Sequence, residues 1–65
     1  MLYKLLFLNA AGEVVKYKYY GNLKTALQYF EYHITWHRKN SFSIGTPYKL
    51  KLIDATESLI KEELI

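Results

Sequence analysis

The sequence predicts an α+β domain: a three-stranded antiparallel sheet in the order 2-1-3, one long helix on one face, and a short C-terminal helix. Three observations carry this. Apolar and aromatic runs with a two-residue alternation occupy residues 2–8, 13–20 and 48–53, a helical stripe occupies 22–39, and the pattern changes after Asp54. A chain of 65 residues has room for one domain. Hydrophobic residues make up 51% and charged residues 23% of it, a globular composition with no linker, internal repeat or low-complexity stretch.

The first run, Leu2-Tyr3-Lys4-Leu5-Leu6-Phe7-Leu8, is too short to span a bilayer. It also lacks the basic start and cleavage site of a signal peptide, so it reads as a strand and no membrane role is expected. Asn9-Ala10-Ala11-Gly12 follows. Asn favours the first position of a type I turn and Gly12 supplies a left-handed residue, so a hairpin with a bulge is expected. In the second run Val15, Tyr17 and Tyr19 alternate with Val14, Lys16, Lys18 and Tyr20.

Asn22 is a good N-cap for a helix to about Lys39, because its side chain can accept from an otherwise unpaired amide of the first turn. At about 100° per residue, Leu23, Ala26, Leu27, Phe30, Ile34 and His37 form one stripe. Tyr29, Tyr32, His33 and Trp36 widen the apolar arc to roughly 220°, more than a three-stranded sheet covers. Phe42 to Pro47 reads as a loop, with Phe42, Ile44 and Pro47 positioned to fold over the helix flank. Tyr48 to Ile53 reads as the third strand. Asp54 and Glu57 have the spacing of a capping box, which predicts a short helix over 56–64.

A right-handed crossover places the third strand beside the first. If Tyr3, Leu5, Phe7, Val15, Tyr17, Tyr19, Tyr48, Leu50 and Leu52 face the helix, then Lys4, Lys16, Lys18, Lys49 and Lys51 share the open face. Leu2, Leu6, Leu8, Val14 and Tyr20 lie among them. The net charge of +3 thereby becomes local. Lysines contact phosphates and an exposed ring stacks on a base, so nucleic acid is one candidate partner, through Lys4, Lys16, Lys18, Tyr20, Lys49 and Lys51. The plainer reading is a solvated outer face protected by lysine.

The leading expectation is a non-enzymatic, protein-binding module that forms a homodimer. Tyr29, Tyr32 and Trp36 are its anchors, because aromatic side chains dominate binding hot spots, with Leu59, Ile60 and Leu64 as the dimer or partner contact. Trp36 is then expected to be buried once every partner is present. Size and a Lys/Tyr/Ile-rich composition suggest a regulator or inhibitor of the kind carried by bacteriophages or mobile elements. The absence of cysteine excludes disulfides and fits a cytoplasmic setting.

Catalytic and metal chemistry find no support in the residue spacing. His33 and His37 are four apart on the helix, but no glutamate follows His33 and no cysteine or third histidine completes a ligand set. The carboxylates are scattered and the three glycines form no phosphate loop, so no cofactor is expected.

Overall fold

The computed structural model describes residues 2–40 and 46–65. It contains β1 (Tyr3–Leu8), β2 (Val14–Tyr20), α1 (Leu23–Lys39), β3 (Lys49–Ile53) and β4 (Leu59–Leu64). The strands form one four-stranded sheet in the order β2-β1-β3-β4, and every pair is antiparallel. The expected order 2-1-3 is therefore extended by a fourth strand, and the short helix over 56–64 is replaced by it.

The C-terminal segment forms a strand because the residues read as a capping box make a hairpin turn. Asp54 Oδ1 accepts from the backbone amides of Thr56 at 2.9 Å and Ser58 at 3.0 Å. The Glu57 amide donates to the Asp54 carbonyl at 3.0 Å, and Glu57 takes the left-handed conformation, φ 64°, which a helix does not accommodate. A helix this short is marginal by itself, whereas a strand satisfies the outer edge of β3.

The helix follows its expectation. Asn22 Oδ1 accepts from the Thr25 amide at 2.8 Å, and the Trp36 carbonyl at the other end receives the Asn40 amide and side-chain Nδ2. Ala26, Phe30 and Ile34 lie against Leu5, Phe7, Leu50 and Leu52, each at most 2% exposed. Burying side chains of the size of Leu, Ile or Phe contributes about 1.5–3 kcal/mol apiece, and this cluster is what holds the helix on the sheet. Phe42 and Ile44, expected to fold over the flank, lie outside the described residues, while Pro47 is buried.

The facing of β2 is opposite to the expectation. Leu8 pairs with Val14 but Phe7 pairs with Lys16, so Val15 is an extra residue on the outer strand. Without that bulge Phe7 would pair with Val15 and Leu5 with Tyr17, putting both tyrosines under the helix. A single inserted residue turns the remainder of the strand over. Lys16, Lys18 and Tyr20 consequently share the helix face with Phe7, Leu5 and Tyr3, while Tyr17 and Tyr19 share the open face with Leu6 and Lys4. The second hairpin has the same irregularity: Ile53 pairs with Leu59 and Leu52 with Lys61, leaving Ile60 as the extra residue.

Candidate functional site

Two surfaces collect the residues with binding chemistry, one on each side of the sheet. The open face has three rows across β2-β1-β3-β4: Tyr19, Lys4, Ile53 and Leu59; then Tyr17, Leu6, Lys51 and Glu62; then Val14, Leu8, Lys49 and Leu64. No element lies over this face among the described residues. An antiparallel sheet with one solvated face ordinarily alternates apolar in and polar out. Here the outer positions are largely apolar, and Tyr17, Tyr19 and Leu59 are each 54% exposed. Lys4 Nζ lies 4.7 Å from the Tyr17 ring centre and 5.6 Å from that of Tyr19, both within cation–π distance. Lys49 pairs with Glu62, and the hydrogen bond from that lysine, with the charges of Lys49 and Lys51, holds the Glu62 carboxyl below its usual range.

The second surface is a cleft between α1 and β2. Tyr20 stacks on Tyr29 with ring centres 5.3 Å apart, and Tyr29 meets Tyr32 edge-on at 6.4 Å. The series continues through Tyr32 and His33 at 5.4 Å, His33 and His37 at 6.2 Å, and Trp36 and His37 at 5.0 Å. Phe7 forms the floor, its ring edge-on to both histidines, with Lys16 Nζ 5.5 Å from its centre. His33 Nε2 and His37 Nδ1 are enclosed with no hydrogen-bond partner among the described residues. Burial, then the charges of Lys18, His37 and Lys16, lower the His33 pKa to about 4. His37 is lowered too, by burial and then by Lys16. Both rings are therefore neutral near pH 7, and the cleft carries its charge on the lysines.

The opposite flank of α1 is closed by ion pairs. Lys61 of β4 pairs with Glu31, and Arg38 reaches both the Glu63 carboxylate and the Leu64 carbonyl. Glu13 is tied to Asn9 in the first hairpin turn, and Asp54 and Glu57 lie in the second. With Glu62 on the open face, all six carboxylates are thus placed away from the cleft, whose β2 wall carries Lys16 and Lys18.

The structure separates what the sequence grouped. Of the expected interface, Tyr29, Tyr32 and Trp36 lie on the cleft side, while Leu59 and Leu64 lie on the open face with Ile60 at the bulge between them. Trp36 is 47% exposed in the single chain. Of the expected lysine platform, Lys4, Lys49 and Lys51 are on the open face, but Lys16, Lys18 and Tyr20 are on the other side. Tyr17 and Tyr19, assigned to the core by alternation, are surface residues. Among the described residues no three His, Cys, Asp or Glu side chains converge, and no helix is long and apolar enough to cross a membrane.

The architecture defines the class: a small α+β domain with one helix on a four-stranded antiparallel sheet. Comparison with known proteins adds no family to that description, since no protein-family model, curated protein or solved structure shows significant similarity to this chain.

Proposed function

We propose that this chain is a non-enzymatic protein-binding module that self-associates through its open sheet face. The observation that carries the reading is that face's composition: Tyr17, Tyr19, Val14, Leu59 and Leu64 stand exposed where a solvated sheet would carry polar side chains.

The occupant that fits is a second copy, stacked face to face about a two-fold axis parallel to the strands. That axis lays β2 over β4 of the other copy and β1 over β3. Tyr19 then meets Leu59, Val14 meets Leu64, Tyr17 meets Glu62, and the lysine stems lie on Ile53, Leu6 and Leu8; no lysine opposes a lysine. An axis across the strands would instead set Lys51 against Lys51 and Glu62 against Glu62. The geometry of an aligned sandwich therefore selects one self-complementary arrangement. Four strands of about six residues present roughly 400 Å² in projection. That is below the usual size of a stable specific interface, so weak association, in the micromolar range or above, is expected.

Sedimentation velocity from low micromolar to millimolar protein tests the reading. The wild type moves from monomer to dimer as concentration rises, with little dependence on salt, and the double substitution Tyr19→Lys, Leu59→Lys remains monomeric while keeping its fold by circular dichroism. A chain that is monomeric throughout, or a dimer indifferent to those substitutions, overturns it.

A further inference from the structure

We propose that the cleft between α1 and β2 binds single-stranded nucleic acid, with Lys16 and Lys18 on the phosphates and Tyr32 and Trp36 stacked on the bases. This site is on the far side of the sheet from the dimer face and stands independently of it.

The first argument is charge. Lys16 and Lys18 are two residues apart on one face of β2, so their Cα atoms are about 7 Å apart. Neither has an ion-pair partner among the described residues. The six carboxylates of the chain all lie elsewhere, on the β4 flank, in the two turns and on the open face. After burial, the charges of both lysines add to the lowering of the His33 pKa. A cationic wall with no internal counter-charge calls for an anion.

The second argument is shape. Tyr32 and Trp36 are one helical turn apart, about 6 Å along the axis. Tyr32 is 59% and Trp36 47% exposed, and both line the cleft with Lys16, His33 and His37. The rings are held edge-on to His33 and His37, which themselves pack on Phe7, so they are ordered before a ligand arrives. Paired cations beside paired exposed rings suit a repeating polyanion with a flat group on each unit, in which stacking is tolerant of base identity. A duplex hides its base faces and an acidic peptide has none, so neither uses the aromatic half of the cleft.

Trp36 is the single tryptophan of the chain, which makes its fluorescence a direct reporter. The experiment titrates the full chain with a short mixed-sequence single-stranded oligodeoxynucleotide at several salt concentrations. A saturable quench of Trp36 is expected, with affinity that falls as salt rises. Lys16→Gln with Lys18→Gln should weaken binding at least about tenfold and flatten the log–log salt slope by about 1.4, two phosphate contacts at about 0.7 each. Trp36→Ala, followed by anisotropy of the labelled strand, should weaken it by about tenfold, the low end of stacking on one base. Lys4→Gln with Lys51→Gln, on the open face, should leave affinity within about twofold.

Three results would overturn the proposal: no quench at the lowest salt, equal affinity for a duplex of the same sequence or for polyglutamate, or an open-face double variant as damaging as the cleft one. None of the five substituted positions is buried, and circular dichroism of each variant confirms that a loss is one of binding.

Discussion

Asp54 occupies in the second hairpin the position that Asn9 occupies in the first. Asn9 Oδ1 accepts from the amides of Ala11 at 3.0 Å and Glu13 at 2.9 Å; Asp54 Oδ1 accepts from those of Thr56 at 2.9 Å and Ser58 at 3.0 Å. Each turn closes with a left-handed residue three positions on, Gly12 at φ 82° and Glu57 at φ 64°. Each is followed, six positions after the Asx residue, by a bulged residue, Val15 and Ile60. The two hairpins are thus one structural unit used twice, although the sequences share little beyond an Asx-Ala start.

The equivalence makes Glu57 the strained member. A side chain in the left-handed region costs about 1–2 kcal/mol that glycine avoids, against which glycine loses more freedom on folding. Glu57→Gly is therefore expected to raise stability by about 0.5–1 kcal/mol, read as a higher urea midpoint at unchanged slope. Asn9→Ala and Asp54→Ala should each lower the urea midpoint, because two backbone amides lose their acceptor and the turn loses its side-chain closure.

Stability should depend on pH through His33. In the unfolded chain this ring titrates near 6.5, while in the folded protein its pKa is about 4. Between those values the unfolded state takes up a proton that the folded state refuses, so folding weakens as pH falls from 6.5 to 4 and is unaffected above 6.5. The loss is on the order of 1–2 kcal/mol after discounting for the part of the ring that water screens. Urea midpoints measured from pH 8 to pH 4 check this, and His33→Leu should make the profile shallower in that window, leaving the part of the same sign that His37 contributes.

Trp36 should report the cleft and ignore the dimer. It lies on the side of the sheet away from Tyr19 and Leu59. Its emission maximum and acrylamide quenching should stay constant as dilution takes the dimer to monomer. A blue shift on concentration would move the self-association surface to the helix flank.

Core truncation should remove a large share of the stability of a domain this size. Phe30 is fully enclosed, and replacing a buried Phe by Ala costs about 3–5 kcal/mol. A chain of this length has about 3–10 kcal/mol of net stability. Phe30→Ala is expected to show no cooperative thermal transition or a severely lowered one. Leu23→Ala, at a position 39% exposed, should cost under about 1 kcal/mol.

The sequence by itself determined the elements whose signals are local. Asn22 and the stripe through Ala26, Phe30 and Ile34 specify α1, because capping and a 3.6-residue period are properties of a single segment. Asn9 and Gly12 specify the first turn for the same reason. The second turn escaped because Glu57 carries the left-handed conformation without glycine's signature, and Asp54 with Glu57 has the spacing of a helix cap equally well. Only the tertiary structure decided between the two, through the unpaired edge of β3 that β4 satisfies. It also decided which way β2 faces: Val15-Tyr17-Tyr19 and Lys16-Lys18-Tyr20 are both consistent with alternation, and the bulge at Val15 selects between them. That choice put Lys16 and Lys18 beside Tyr32 and Trp36 rather than beside Lys4 and Lys51. Sites built across elements depend on register, and register is settled by pairing and packing with partners far away in the chain.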